Sequence, residues 1–323
     1  MGNRSVTADP ILLALVGPTA LGKTRISLDI APRLGAEIVS VDSMQVYWGM
    51  DIGTDKASLA ERKRVPHHLV DVVSPCEPFT VAKHQELAFA AIRDIHMRGR
   101  LPLLVGGSGL YFQAVADTLS FPEYEVAEKV RAGLEEEAAR DPAALFTRLQ
   151  EVDPDSAAVI PAGNVRRVIR ALEVREITGV PYSRFQGRLF AGHGAFDIIA
   201  VGIEAERDLL TRLINRRVQG MMERGLVEEV QGLLREGCLS RTAAQALGYR
   251  EILEFLDSRS GLEETIRKIE LGTRRLAKRQ LTWFRRDPRI VWFKLEGDEE
   301  SDLRHLEEDV LGHLRAELEK RER

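Results

Sequence analysis

Cysteine is nearly absent from the 323 residues: there are two, Cys76 and Cys238. Their wide separation, with no CxxC partner, argues against a disulfide framework and against a thiolate metal site, and fits a reducing cytoplasm. Long apolar runs are missing as well. None approaches the ~18 residues that a membrane span needs, and the N-terminal MGNRSVTADP has no apolar h-region, so neither a span nor a signal peptide is expected. Nor does one sign of charge dominate: 46 Lys and Arg against 50 Asp and Glu leave a net charge of -4. That argues against indiscriminate nucleic-acid binding while leaving room for a local basic patch. No coiled-coil seam demands a partner, so a monomer is expected. The 44% hydrophobic and 30% charged composition describes a globular protein with enough chain for one large domain and a smaller one.

What is present is concentrated near the start. Ile11 to Val16 is an apolar run too short for an independent helix and reads as a buried strand; Gly17 turns the chain, and Gly22-Lys23-Thr24 opens an amphipathic helix expected to run to Leu34. The connection Gly17-Pro18-Thr19-Ala20-Leu21-Gly22-Lys23-Thr24 matches G-x-x-x-x-G-K-[ST] in the strand–loop–helix setting that gives the motif its mechanics. Such a loop turns backbone N–H groups onto phosphate oxygens, the helix N-terminus adds positive potential, Lys23 adds a full charge, and Thr24 offers a hydroxyl to Mg²⁺. A diphosphate or triphosphate is expected here. The reaction stays open, because the same cradle serves phosphoryl transfer or holds a diphosphate that departs as a leaving group.

Further strands are expected at Glu37–Val41, Leu101–Val105, Phe196–Gly202 and Arg289–Phe293, with a short strand and flanking turns within Val65–Asp71. Helical periodicity covers Thr80–Arg98, a segment from Leu110, Glu204–Arg224, Leu226–Glu236, Thr242–Leu247, Tyr249–Leu256, Leu262–Phe284 and the C-terminal segment. From Phe121-Pro122 to about Gly194 the pattern is helical throughout. The expected fold is α/β: a P-loop NTPase-like parallel sheet core built from residues 1–121 and 195–323, with an all-helical module, 122–194, inserted. The adjacent His67 and His68 would point to opposite faces of a strand with no third ligand nearby, so metal ligation is not expected there.

Several residues carry candidate chemistry. Asp42 ends the second strand on the rim where ligands of open α/β sheets bind, as a Mg²⁺ ligand, a general base or a turn aspartate. Ser108, in Gly106-Gly107-Ser108-Gly109, is a helix cap or a substrate contact. On the Arg166 to Thr178 helix, Val165, Val168, Ile169 and Leu172 form one stripe and Arg166, Arg167 and Arg170 the other side, either a phosphate grip or a solvated face. Arg217 falls near the centre of an apolar stripe made by Leu209, Leu213, Ile214, Val218 and Met221. A guanidinium there must meet an anion, in a structural ion pair or around a ligand. The Leu262 to Phe284 helix carries Leu262, Ile266, Ile269, Thr273, Leu276 and Phe284 on a buried side. Its other side has Arg267, Arg274, Lys278 and Arg285, with Lys268, Arg275, Arg279, Arg286 and Trp283 adjacent, the footprint of a nucleic-acid backbone.

Taken together, GPTALGKT, DSMQVYWGMDIGTDKAS, VPHHLVDVVSP, LLVGGSGLY, RRVIRALE, QALGYRE and TRRLAKRQLTWFRRD resemble the tRNA dimethylallyltransferases, in the order of that family and over about Ile11 to Asp287. The resemblance implies transfer of a dimethylallyl group from dimethylallyl diphosphate to the N6-amino group of the adenine on the 3′ side of the anticodon, adenosine 37, in a tRNA anticodon stem-loop. It implies that the Gly17–Thr24 loop holds the prenyl diphosphate with Thr24 assisting Mg²⁺, that Asp42 is the general base, and that Arg217 stabilises the diphosphate. It also implies tRNA contacts at Asp42, Ser43, Met44, Gln45 and Ser108 and along Arg166, Arg167, Val168, Ile169 and Arg170. Two positions depart from the family pattern: Leu21 stands where a serine is usual and Arg166 where some members have glutamine. A small-molecule or nucleotide kinase is the alternative for a bare phosphate loop. Against it, the strand Leu101–Val105 ends in Gly-Gly and not in the Asp of a second Mg²⁺ motif. An ATP-switched RNA-binding module is a third reading.

Overall fold

The computed structural model describes residues 9–119, 121, 128–185, 194–237, 239–257, 259 and 261–323. The elements in chain order are β1 (Ile11–Val16), α1 (Lys23–Leu34), β2 (Ala36–Ser40), α2 (Leu59–Arg64), β3 (His67–His68), α3 (Val81–Met97), β4 (Leu101–Gly106) and α4 (Gly109–Ala116). Then come α5 (Glu128–Arg140), α6 (Pro142–Val152), α7 (Pro154–Val159), α8 (Val165–Thr178) and a 3₁₀ turn at Tyr182–Phe185. After these the chain forms β5 (Asp197–Ala205), α9 (Arg207–Glu223), α10 (Leu226–Arg235), α11 (Arg241–Ala244), α12 (Tyr249–Leu256), α13 (Leu262–Phe284), β6 (Ile290–Leu295) and α14 (Glu300–Glu322).

The strands form one sheet in the order β3-β2-β4-β1-β5-β6, and every pairing is parallel. β1 lies between β4 and β5 and is buried on both faces, which is why its sequence is a continuous apolar run and not an alternating one. Leu13 and Leu15 enter the core that α1 and α14 cover. Leu12, Ala14 and Val16 enter the core on the other side, with Ile92 of α3, Phe112 of α4 and Phe284 of α13. Because β4 lies between β1 and β2, the loops after these three strands share the carboxyl edge of the sheet, where ligands of such sheets bind. A third cluster packs α9, α10, α12 and α13 around Val46, Tyr47 and Met50 of the loop after β2.

Some expected boundaries move. The second strand ends at Ser40, so Asp42 lies just past the sheet. Val65–Asp71 contributes only His67 and His68, because left-handed backbone at Leu69 (φ 63°) and Asp71 (φ 55°) takes the chain off the sheet edge. His67 Nδ1 lies 2.7 Å from the Val65 carbonyl and His68 Nε2 2.8 Å from a Glu37 carboxylate oxygen. Among the described residues no group of His, Cys, Asp and Glu could hold a metal ion by itself. The helix expected from Glu204 begins at Arg207, since β5 continues to Ala205. Thr242–Leu247 is a single turn, Arg241–Ala244. Cys76 is disulfide-bonded, contrary to what its spacing suggested; Cys238 lies outside the described residues.

Contacts divide the chain into two units, residues 118–191 and the remainder. The smaller unit contains α5–α8 around its own core of Leu134, Leu145, Leu149, Val168, Ile169 and Leu172. Asp141 and Asp153 start two of its helices by accepting backbone N–H bonds, each followed by a proline whose missing N–H costs nothing at that position. The expected boundary at Pro122 lies outside the described residues.

Candidate active site

The loops at the carboxyl edge open into a cleft of 1410 Å³ within the α/β unit. Thr19, Ala20, Gly22, Lys23 and Thr24 of the phosphate loop line it, with Asp42, Ser43, Met44, Gln45, Ser108 and Arg217. The loop has positive φ at Gly17 (135°), Ala20 (70°) and Gly22 (73°), and Gly22 directly precedes α1, so the first amides of that helix face the cleft. Gly17 and Pro18 shape the loop, and the Pro18 carbonyl accepts from Lys23 Nζ at 2.6 Å. Leu21 is 1% exposed, with its side chain in the sheet core rather than among the residues that line the cleft.

Lys23 is the electrostatic centre. Burial, and then the nearby Arg217 charge, draw its ammonium from 10.5 down to about 7, against the opposing pull of Asp42 and Asp55. A cation held this way is short of counter-charge, which an anionic ligand would supply. Arg217 is 22% exposed and donates from Nη1 to Asp55 Oδ2 at 3.0 Å. The anion that its position on the α9 stripe demands is therefore a protein carboxylate, Asp55. Asp55 also accepts from Arg224 at 2.9 Å. Burial works against its ionisation, but Arg217 and Arg224 hold its carboxyl below the ordinary range.

Asp42 closes a turn: its Oδ1 accepts from the backbone of Met44 at 2.8 Å and of Gln45 at 3.3 Å. One carboxylate oxygen is thereby fixed by the backbone, and the other is not used in that turn. The Ser108 side chain does not cap α4. Its hydroxyl accepts from the Ser43 amide at 3.1 Å and lies 3.4 Å from the Ser43 hydroxyl, joining the loops after β2 and β4. The Gln45 side chain accepts from Ser40 Oγ at 3.0 Å and donates to the Thr54 carbonyl at 3.3 Å, which links the Asp42 turn to the Asp55 loop.

The Arg166–Arg170 segment lies on α8 of the smaller unit. Arg166 and Arg167 are exposed, and Arg170 bonds Glu173 at 2.9 Å. Val168 (1% exposed) and Ile169 (8% exposed), expected among the tRNA contacts, place their side chains in that unit's core, as their apolar stripe requires. On α13 the expected basic face is partly neutralised: Arg285 pairs with Glu204 at 2.8 Å, Lys268 with Glu264 at 3.1 Å and Arg274 with Glu270 at 3.9 Å. Arg275 and Arg279 line the cleft and, among the described residues, have no carboxylate partner. Leu262, expected on the buried side, is 44% exposed because it belongs to the first turn of the helix.

Several residues at the site gave no signal in the sequence. Gln280 of α13 accepts the Thr19 amide of the phosphate loop at 2.9 Å. It lies so close to Gly107 that a Cβ there would be 2.4 Å from its Nε2, so the second glycine of Gly106-Gly107 makes room for this amide. Glu229 of α10 accepts three consecutive backbone N–H groups, Asp51 at 2.9 Å, Ile52 at 2.7 Å and Gly53 at 3.1 Å, and the Tyr249 hydroxyl at 2.5 Å. Burial and this carboxylate push the Tyr249 phenol pKa up, keeping it a donor. A carboxylate on three amides anchors the loop that presents Asp55.

The profile of the family described as IPP transferase matches residues 45–287, and that described as Isopentenyl transferase matches residues 10–71. The chain is 47% identical over 289 residues to the tRNA dimethylallyltransferase of Geobacillus thermodenitrificans, covering 89% of this chain and 91% of that one. It is 48% identical over 298 residues to the tRNA dimethylallyltransferase of Moorella thermoacetica, covering 90% and 92%. Among solved structures, the full-length tRNA isopentenylpyrophosphate transferase of Bacillus halodurans superposes with a TM-score of 0.69 at 40% identity, over 98% of this chain and all of that one. A eukaryotic dimethylallyltransferase acting on tRNA superposes with a TM-score of 0.72 at 27% identity, over 90% and 75%.

Proposed function

The chain belongs to the tRNA dimethylallyltransferase family, and from that premise we propose that it transfers the dimethylallyl group of dimethylallyl diphosphate to the N6-amino group of adenosine 37, the adenine on the 3′ side of the anticodon in a tRNA anticodon stem-loop. The observation that carries this reading is one cleft lined by a phosphate loop, a counter-charge-starved Lys23, Arg217 and a turn-fixed Asp42. In the reaction the donor's C1–O bond breaks and a bond from adenine N6 to C1 forms. The adenine amine is a weak nucleophile, its lone pair delocalised into the ring. Asp42 orients it and takes the proton that becomes acidic as the new bond forms. Negative charge develops on the bridging oxygen of the departing diphosphate, and the loop amides, Lys23 and Arg217 stabilise it. The base must leave its stack to reach this depth.

The donor set suits Mg²⁺ held mainly by the diphosphate. Thr24 offers a hydroxyl on the cleft, and no all-protein carboxylate cage exists among the described residues. Bound there, Mg²⁺ would neutralise charge on the leaving group. Ser43, Met44, Gln45 and Ser108 are read as tRNA contacts, as are Arg166, Arg167 and Arg170 of the helical unit. The enzyme is read as a cytoplasmic monomer. No helix among the described residues is long and apolar enough to cross a membrane.

The test is to incubate the protein with dimethylallyl diphosphate labelled in its prenyl group, with and without tRNA, and with labelled ATP in parallel. Prenyl label entering tRNA supports the assignment. A phosphorylated product from ATP, with no prenyl label in tRNA, replaces it with a kinase.

A further inference from the structure

A cradle for a diphosphate gains nothing electrostatic from a carboxylate of its own, yet Asp55 stands in this one. Its two oxygens take one arginine each, Oδ2 from Arg217 at 3.0 Å and Oδ1 from Arg224 at 2.9 Å, bridging a residue of α9 and the one that follows its last turn. The chain adopts left-handed backbone at Asp55 (φ 54°), a costly conformation for a residue with a Cβ. The preceding residues, Asp51 to Gly53, are pinned by Glu229. The carboxylate is thus placed by the fold, and it is placed on the arginine assigned above to the leaving group.

Asp55 supplies the negative charge that Arg217 and Arg224 otherwise lack. With a diphosphate in the loop, the same carboxylate is a further anion among the same cations, and like charges in a partly desolvated site repel. We propose that Asp55 is a competing anion built into the donor site: it holds Arg217 and Arg224 while the cleft is empty, lowers the affinity for the diphosphate group, and so promotes departure of inorganic diphosphate after transfer. This rests on the donor reading above and adds to it a determinant of product release. The carboxyl is kept ionised at neutral pH by the two arginines, so the competition operates under working conditions.

The experiment is calorimetric binding of inorganic diphosphate with Mg²⁺ to the full chain, as wild type, Asp55→Asn, Asp55→Glu and Lys23→Met. Asp55→Asn removes the charge at nearly constant shape and is expected to bind diphosphate about tenfold more tightly. Its turnover should be inhibited at correspondingly lower added diphosphate. Asp55→Glu keeps the charge and is expected to show no tightening. If a melting curve shows that Asp55→Asn is unfolded, Asp55→Ser takes its place. Unchanged or weaker binding in a folded variant without the charge overturns the proposal and makes Asp55 an orienting strut for Arg217. Lys23→Met separates the two levels of failure. Wild type that binds diphosphate no better than Lys23→Met refutes the donor site itself and the proposal with it. Binding lost in Lys23→Met but not tightened by removal of the Asp55 charge refutes the Asp55 role alone.

Discussion

Lys23 allows the donor site to be interrogated by pH. Its pKa of about 7 arises first from burial and second from Arg217. A bound diphosphate supplies the missing counter-charge and returns the group toward its ordinary value, so binding takes up a proton wherever the pH lies between the two. The sign follows: below about pH 7 the ammonium is already charged and donor affinity is at its plateau, whereas above it part of the binding energy is spent on protonation. From a free-site pKa of about 7 the affinity should fall roughly tenfold by about pH 8 and approach a hundredfold by about pH 9. The assay is titration calorimetry of dimethylallyl diphosphate in buffers of different ionisation enthalpy, comparing wild type with Lys23→Arg, whose guanidinium stays charged throughout. Ionisation of the ligand is common to both proteins, so the difference in slope and in protons taken up belongs to Lys23. Equal pH slopes in the two proteins would refute the reasoning.

The same displacement has a cost for the fold. A native pKa of about 7 against 10.5 unfolded, at about 1.4 kcal/mol per pH unit, corresponds to at most about 5 kcal/mol. Water in the cleft screens part of it, leaving a few kcal/mol. This cost is fully present below about pH 7 and is relieved as the pH rises toward 10.5. Lys23→Met is therefore expected to melt at a higher temperature than wild type near neutral pH while losing diphosphate binding. A lower melting temperature for that variant would contradict the assigned burial.

Asp42→Asn should retain tRNA binding and lose about 100- to 10,000-fold in single-turnover rate, the range for a missing general base; near-wild-type turnover would remove Asp42 from the chemistry. Gln280→Ala deprives the Thr19 amide of its acceptor and should raise the donor KM several-fold with a smaller change in kcat, and steady-state kinetics showing neither would make the contact incidental. Removing Arg275 and Arg279 together should weaken tRNA binding and reduce the slope of log affinity against log salt by about one per lost phosphate contact. An unchanged slope places the RNA backbone elsewhere.

What the sequence disclosed was whatever is encoded locally. The strand–loop–helix of Ile11–Leu34 is specified by a run of neighbours, and the helical period of residues 128–178 by repetition, so both could be read before any contact was known. Arg217 was visible as a charge on an apolar stripe, but its partner was not. Asp55 lies 162 residues away, on a loop whose own sequence has no period. Gln280 and Thr19 are 261 residues apart, and Glu229 reaches Asp51 across 178. Such pairs exist only after α9, α10 and α13 have packed, so no window of sequence contains them. On the basic face of α13, the Lys268–Glu264 and Arg274–Glu270 pairs are local to the helix and legible in its sequence, whereas Glu204, which takes up Arg285, comes from β5. The short strand at β3 and the turns beside it were legible, but the left-handed backbone at Leu69 that sets its end was not.

One narrow passage in the chain reaches beyond this enzyme. A Cβ on Gly194 would sit 2.0 Å from the carbonyl oxygen of Ala116, so the outgoing and returning segments cross main chain against main chain. The sheet is stitched on the near side of that neck, where the Asp197 amide bonds the Pro10 carbonyl. A neck this tight makes the excursion between its two ends a graft: it can be shortened, lengthened or exchanged during evolution, or spliced out at the bench and bridged with a few flexible residues, without disturbing the register of a single strand.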